Sequence, residues 1–558
     1  MKALGSLLKV AGIALVAGCL VPVPALAVQA SQATRAEAQR DPVLKAMLEE
    51  MDRSITDLQL KGFAKPFFIQ YRIEDVDAFQ TRAEFGASEG AQRTHQRVVR
   101  VTVRVGDYKS DSSGARGDGA LEVASLDDDP IALRSALWAT TDTAYKSALA
   151  AYAQKQAALK QVQTQPQADD FSREKPVIAL AAPARLDVDE NAWAERMAQA
   201  SGIDSTSPAV KASEQQVQYS TADFRARALT TWIVSSEGTI VRKAATEYEE
   251  SFSMGTQAPD GMHIDRSYVS SGTSPQELDS PQVLAQHAVA DLASLAELSK
   301  APLVEDEFHG PLLLSADADT DTMRSLLAGA VTATRPDLGT EARTNGPFAS
   351  SFHTRVLPDF LNVIDDPGLK SFDGKGLVGA YDYDDEGVPK QAVTLVSDGH
   401  LVNYLIGREP IKDFRQSNGH GRAGVLGAPA PGIGVLKISA VNGLTDAELN
   451  QKLLALMKED GVDHAYSAET LAGAGNPRLL YRVNADGSRH LVRGAELDDI
   501  DQRALRSSVV AAGKDLLVAN YYGDVPQTVI APALLLDDVT VKRANDRNDK
   551  LPFYPPPQ

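Results

Sequence analysis

Apolar residues recur at helical spacing in several stretches of the chain, and most of these stretches begin at a residue that caps helices. Asp41 precedes one stretch, and Asp129-Pro130 begins a long Ala-rich one. Thr445 and Glu448 form a capping box, and Gly461 supplies the stop of that helix. The predicted helices are 42–60, 130–162, 191–201, 282–298, 322–331 and 446–460.

Alternating apolar and polar side chains predict strands in both halves of the chain. Asp398-Gly399 and Asp486-Gly487 lie between alternating segments, and Asp-Gly at such a place indicates a hairpin. The segment 74–97 is charged and is predicted to be a loop between two short strands. The predicted strands are 67–73, 98–105, 225–234, 239–252, 311–314, 391–396, 401–406, 478–484, 488–493, 516–522 and 529–542.

The order of these elements predicts an α+β protein with two domains. A mixed α/β domain with long helices is expected over 28–300, with a polar linker near 163–176. Lys300-Ala301-Pro302 marks the boundary, after which a strand-rich domain spans 301–545. Residues 546–558 form a Pro-rich tail, for which an extended terminus is expected.

The first 27 residues have the pattern of a secretory signal peptide. An apolar segment, 10–21, follows two lysines, and cleavage between Ala27 and Val28 is predicted. A rival interpretation makes Cys19 the lipidated residue of a lipoprotein signal. Either pattern predicts an exported protein, periplasmic or anchored in the envelope through a lipid. No other run is apolar and long enough to suggest a transmembrane segment.

The composition argues against a nucleic-acid partner and excludes an intramolecular disulfide. The chain has 56 Lys and Arg against 75 Asp and Glu, giving a formal net charge of −19. Such an acidic chain repels nucleic acid, so no nucleic-acid partner is expected. Cys19 is the only cysteine, and no intramolecular disulfide can form.

Four segments, in order, resemble those of one protein family. They are the turn Ser235–Gly238, the block from Asp384 to Leu401, the turn Asn418–Arg422, and the segment Thr528–Val539. Each segment alone is a weak signal, but their order and spacing resemble the TldD/PmbA metallopeptidase family, also called modulators of DNA gyrase. The resemblance implies a C-terminal β-rich domain of the TldD/PmbA type.

Catalytic members of this family carry His-Glu-x-x-x-His, in which two histidines bind zinc and the glutamate activates a water. The resemblance places Ser315–Asp321 at the equivalent position, where there is no histidine. No two of the nine histidines lie near each other in the sequence, and the family's cysteine ligand is also absent. No catalytic residue and no metal ligand are therefore assigned, and the chain resembles the metal-less PmbA/TldE-type subunit, a pseudoenzyme.

Acidic residues and histidines elsewhere in the chain are alternative candidates for a metal site. Asp317, Asp319 and Asp321 have the spacing that starts a calcium loop, but acids that charge the N-terminus of helix 322–331 are the favoured interpretation. A second acidic group is interpreted as solvated turn residues. Its members are Asp365, Asp366, Asp382, Asp384 and Asp385. The histidines His309, His353, His400 and His420 are scattered, and His309, His353 and His420 are the candidate ligands of a relocated site.

The resemblance implies a non-catalytic subunit of a heterodimeric zinc protease that digests unfolded peptides. Zinc is then expected in a catalytic TldD-like partner and no cofactor in this chain. The subunit would complete the chamber and hold an extended peptide, by strand addition along an open sheet edge. One alternative is an active metallopeptidase with relocated ligands. The other is a stand-alone envelope protein that binds peptides or acts as a scaffold.

Overall fold

The computed structural model describes residues 34–114, 119–162, 166–202, 217–473 and 475–545. The predicted cleavage site at Ala27 and Val28, the alternative lipidation site Cys19 and the Pro-rich tail 546–558 lie outside the described residues. In the part that is described, no helix is both long and apolar enough to cross a membrane.

The N-terminal half is built on a long, mostly antiparallel sheet with the strand order β3-β2-β1-β5-β6-β4, and β7 also pairs with β6. Only β4 runs parallel to its neighbour. The two central hairpins, β1–β2 and β5–β6, are the longest elements of the sheet. The strands are β1 (Pro66–Glu84), β2 (Ala87–Val105), β3 (Ala120–Ala124), β4 (Ile178–Leu180), β5 (Tyr219–Ser235), β6 (Ile240–Gln257) and β7 (His263–Gly272).

Helices cover one face of this sheet. Ile69, Tyr71 and Ile73 alternate along β1 and pack beneath α2 and α3. The predicted caps are confirmed, because Asp41 and Asp129 accept hydrogen bonds from the first-turn amides of their helices. The helices are α1 (Arg35–Ala38), α2 (Pro42–Asp57), α3 (Pro130–Leu159), α4 (Glu190–Ser201) and α5 (Pro281–Lys300).

The prediction of a loop over 74–97 is wrong. β1 and β2 continue through this segment and turn only at Phe85-Gly86, where both residues have positive φ. Charged residues pair across the two strands instead of packing in the core, as Arg93 does with Asp77 at 2.7 Å. Apolar alternation is therefore missing although the strands persist.

The C-terminal half contains a mixed sheet with the path β13-β12-β9-β16-β22-β8-β17-β18-β19, and β20 and β21 also pair with β22. The long, buried β22 lies at its centre. β10 pairs with β11, and β14 with β15, in two separate two-stranded sheets. The strands described in this half are β8 (Phe308–Leu314), β9 (Leu361–Asp365), β10 (Ser371–Phe372), β11 (Lys375–Gly376), β12 (Val393–Ser397), β13 (His400–Leu401), β14 (Gly421–Arg422), β15 (Ala430–Pro431), β16 (Val435–Ala440), β17 (His464–Leu471), β18 (Pro477–Asn484), β19 (Arg489–Val492), β20 (Ala495–Asp498), β21 (Val509–Tyr521) and β22 (Gln527–Arg543).

Three α-helices are described in this half: α6 (Ala316–Met323), α7 (Asp446–Asp460) and α8 (Gln502–Ser507). The capping box of α7 and the left-handed Gly461 at its end are confirmed. The predicted helix 322–331 is wrong in its start, because Ser315 caps α6 and the acids lie inside the helix. A single π-helical turn, Arg324–Ala328, follows α6. These elements confirm the α+β class, with the strand-rich part at the C-terminal end.

The segment near the predicted linker 163–176 contacts both halves of the molecule, although residues 163–165 lie outside the described part. Asp170, Phe171 and Ser172 are buried. Asp170 accepts hydrogen bonds from Lys155 Nζ at 2.5 Å and from the Asp111 amide at 2.8 Å. The Ser172 amide donates to the Arg408 carbonyl at 2.9 Å. The described part of this segment therefore fastens the helical layer to the C-terminal half.

Candidate functional site

The sheet face opposite the helices is polar and lies against the C-terminal half. Arg72 of β1 donates a hydrogen bond to the Gly427 carbonyl at 2.7 Å. Lys243 of β6 donates to Asp385 Oδ1 at 2.5 Å and to the Tyr383 carbonyl at 3.1 Å. The acid-rich block found in the sequence therefore lies where the two halves meet.

Each carboxylate of this block is held by surrounding groups. Asp384 accepts hydrogen bonds from the amides of Val388 at 2.8 Å and Gly421 at 2.9 Å. Asp385 accepts from the Ala423 amide at 2.7 Å, in addition to Lys243. The prediction that these aspartates are solvated turn residues is wrong for Asp384 and Asp385, because both are buried. Backbone amides and cations replace the water that they would otherwise bind.

Glu386 reaches between two glycines. Its Oε2 accepts the Arg408 amide at 2.7 Å. A Cβ added at Gly421 would come within 2.2 Å of this oxygen, and one at Gly407 within 2.7 Å. Glycine is therefore required at both positions for the carboxyl to approach the backbone so closely.

The ionisation of the block differs from one acid to the next. Burial raises the pKa of Asp384 to about 6 and that of Glu386 to about 8, and the two charges repel each other. Burial also opposes ionisation of Asp385, but Lys243 and Arg422 outweigh it and lower its pKa. On the facing strand β1, burial raises the pKa of Glu74 to about 7. Asp385 is thus stably charged, whereas Asp384, Glu386 and Glu74 hold a proton more readily than a carboxyl in water.

His420, a candidate metal ligand from the sequence, is completely buried beside this block. Its Nε2 lies 3.1 Å from Asp365 Oδ1, and its Nδ1 lies 2.9 Å from the Asn418 carbonyl. Asp365 is also buried, against the prediction of a solvated turn, and accepts the Gly434 amide at 3.0 Å. Both ring nitrogens are therefore engaged in holding the turn 418–422 against β9.

Ser315–Asp321 occupies the end of β8 and the start of α6. Asp321 accepts a hydrogen bond from the Tyr521 hydroxyl at 2.8 Å. Asp319 is completely buried, neither of its carboxyl oxygens has a hydrogen-bond partner, and burial raises its pKa well above the usual value. Asp317 is exposed, but desolvation by the protein around it raises the pKa of its carboxyl, and the charge of Asp321 raises it further. Asp319 leaves the helix on another side than Asp317 and Asp321, so these acids do not form a calcium loop.

A comparison with protein families finds a match in the strand-rich C-terminal half. The PmbA/TldA metallopeptidase C-terminal domain, as a family profile, matches residues 310–543. The C-terminal domain, residues 310–543, therefore belongs to the TldD/PmbA family. No curated protein sequence matches the chain.

Solved structures share the fold of this chain over most of its length. TldE from Thermococcus kodakarensis is 12% identical, with a TM-score of 0.59, and the match covers 90% of this chain and 100% of that one. A protein from Thermotoga maritima designated a modulator of a DNA gyrase is 16% identical, with a TM-score of 0.57 and coverage of 89% and 100%. Another, from Bacteroides thetaiotaomicron, is 11% identical, with a TM-score of 0.60 and coverage of 91% and 99%.

The other histidines proposed as relocated zinc ligands lie apart from His420. His309 is exposed on β8, 2.9 Å from Glu307 and 3.1 Å from the Thr540 hydroxyl. His353 is exposed, has a φ of 63° and packs its ring on Phe352. Among the described residues, no three His, Cys, Asp or Glu side chains are grouped so that they could hold a metal ion.

Two contacts near this site could not be predicted from the sequence. The contact of Lys243 with Asp385 joins residues 142 positions apart, and the contact of His420 with Asp365 joins residues 55 apart. The adjacent residues Asp384, Asp385 and Glu386 mark the block in the sequence. They do not indicate that Lys243 and Arg422 are the cations beside it. The assignment of Ser315–Asp321 as the segment that replaces the zinc motif stays a prediction.

Proposed function

We propose that this chain is the non-catalytic subunit of a heterodimeric zinc protease that acts on unfolded peptides. One observation carries the proposal: a TldD/PmbA C-terminal domain is present in a chain that has no His-Glu-x-x-x-His anywhere in its sequence. A catalytic zinc site takes three protein ligands and leaves a fourth position for water. His400 and His420 are the closest pair of histidines in the sequence, yet one is exposed and the other is buried.

In this proposal, a homologous partner carries the zinc ligands and the general base. This chain contributes the wall of the chamber and a surface that holds the peptide. The largely buried ion pairs between its two halves, Lys243 with Asp385 and Glu237 with Arg408, support that role, because they fix the long N-terminal sheet relative to the C-terminal domain.

We also propose that the chain is exported and works in the periplasm, or on the envelope if Cys19 is acylated. The support is the sequence pattern of the first 27 residues. N-terminal sequencing of the mature protein tests this directly. A start at Val28 indicates a periplasmic protein, a blocked start at Cys19 a lipoprotein, and an intact Met1 contradicts export.

Purification of the tagged chain from its native envelope tests the subunit proposal. We expect a homologue bearing His-Glu-x-x-x-His to co-purify in a fixed ratio. Recovery of the chain without any such homologue, under conditions that preserve other envelope complexes, would contradict the proposal and favour a stand-alone peptide-binding protein.

The active-enzyme alternative is tested by His309→Ala, His353→Ala and His420→Ala. We expect the first two to change neither zinc content nor peptidase activity of the complex. His420→Ala should lower stability by about 1–3 kcal/mol, because it removes the buried ring that contacts both Asp365 and the Asn418 carbonyl. Loss of zinc from the isolated chain in any of these variants would support relocated ligands instead.

A further inference from the structure

Part of β2 has an open hydrogen-bonding edge. β1 pairs with β2 from Ala87 to Val105, whereas β3 covers the other edge only from Arg97 to Val101. Residues 87–96 therefore have a strand partner on one side only among the described residues. Every residue in 87–96 is exposed, and at about 3.3 Å per residue the open edge is about 33 Å long.

Of the features that usually protect an edge strand, this edge has one register shift, at Ser88–Gly90, but it has no proline and is not short. Residues 87–96 contain no proline. Their charged side chains turn back to β1: Glu89 pairs with Arg82 at 2.9 Å and Arg93 with Asp77 at 2.7 Å. His95 likewise lies 2.6 Å from an aspartate of β1. The remaining side chains are small or carry amides, so they leave the backbone groups accessible.

The neighbourhood of the open edge is asymmetric in charge. β3 ends at Ala124, opposite Arg97, where the open edge begins. Asp127 and Asp128 follow directly and are exposed. Asp128 bonds Arg97 at 2.9 Å. A strand that continued the line of β3 would therefore start beside these acids.

We propose that residues 87–96 bind an extended segment of the peptide substrate as an added antiparallel strand, with its amino end beside Asp127. The inference rests on the proposed function, for which it names the binding surface. Antiparallel pairing follows the direction of β3 and places the positive α-amino group of the peptide next to the acids. Recognition through backbone groups, beside mostly small side chains, fits substrates that share an unfolded state rather than a sequence.

Hydrogen exchange of the full chain tests the proposal, with and without a labelled Ala/Thr peptide as long as residues 87–96. We expect the outward-facing amides of 87–96 to exchange rapidly in the free chain and to be protected when the peptide is bound. A peptide N-methylated at alternate residues should bind at least about tenfold more weakly, because each methyl removes a backbone donor. Protection elsewhere, or equal affinity of the N-methylated peptide, would overturn the inference.

The direction of the peptide has its own test. Asp127→Asn should lower affinity about two- to fivefold for a peptide with a free amino end and leave an acetylated peptide unaffected. Asp359→Asn, an exposed acid in the C-terminal half, is the matched control and should change neither affinity. Equal effects of Asp127→Asn on both peptides would refute the amino-end placement.

Other occupants of the edge give different results. If a second copy of this chain covers it, residues 87–96 are already protected without peptide, and protection falls on dilution to monomer. That outcome overturns the inference. The inference and the proposed function can fail separately, because co-purification of a zinc-bearing homologue does not depend on where peptide protection appears.

Discussion

Asp319 offers the sharpest energetic test of the structure. It lies in the first turn of α6, its side chain is completely buried, and neither carboxyl oxygen has a hydrogen-bond partner. A buried polar group without a partner loses the hydrogen bonds that it makes with water in the unfolded chain. The structure therefore implies that Asp319 lowers the stability of its own domain.

Replacement by leucine removes this cost. We expect Asp319→Leu to raise the free energy of unfolding by about 1–3 kcal/mol, the usual cost of one unsatisfied buried group. For a domain of this size, each kcal/mol corresponds to about 2–4 °C in Tm. Asp319→Asn keeps the shape and the unpaired polar atoms but cannot ionise, so it separates the cost of ionisation from that of burial.

The pH dependence has a definite sign. Burial raises the pKa of Asp319 in the folded state above that in the unfolded chain, so the folded state binds more protons between the two pKa values. Stability from this group is complete below the unfolded pKa and falls as pH rises, by up to about 1.4 kcal/mol per pH unit. Asp319→Asn should remove that part of the slope.

Urea unfolding at pH values from about 4 to about 8 measures both effects. Asp359→Asn is the control, because this exposed acid lies outside α6 and should change stability little. A loss of stability in Asp319→Leu, together with an unchanged pH slope in Asp319→Asn, would refute the reasoning. It would mean that the carboxylate is ionised and stabilised by groups around it.

Two further substitutions test the surroundings of the acids Asp385 and Glu386. Lys243→Met should cost about 3–5 kcal/mol of stability, because it leaves a buried carboxylate without its closest cation. Lys370→Met removes an exposed ion pair and should cost less than about 1 kcal/mol. Equal costs in urea unfolding would count against a buried pair between the two halves. Gly421→Ala should lower Tm, at a cost of about 1–3 kcal/mol, because the added methyl meets Glu386, and Gly329→Ala, which meets nothing, should not. An unchanged Tm in Gly421→Ala would show that Glu386 can move aside.

The sequence predicted features that depend on a few adjacent residues. The capping box of Thr445 and Glu448, with Gly461 in the left-handed conformation, was readable because each partner lies within one turn of the helix. The Asp398-Gly399 turn was readable for the same reason, and both residues have positive φ. Such local chemistry determines much of the element order and, through it, the α+β class.

Features that depend on distant partners were missed. The middle of β1 and β2 looked like a loop, because its strands are held by cross-strand ion pairs rather than by apolar alternation. Asp384 and Asp385 looked solvated, because the groups that bury them come from other parts of the chain. The start of α6 was misplaced because Ser315, and not one of the aspartates, caps the helix.

Zinc content, measured together with peptidase activity, tests the central claim most directly. The chain purified alone and its complex with the co-purified homologue are assayed by elemental analysis and with an unfolded peptide, with and without a chelator. The account predicts no stoichiometric zinc and no cleavage for the isolated chain, and zinc with chelator-sensitive cleavage for the complex. Stoichiometric zinc and chelator-sensitive cleavage in the isolated chain would contradict it.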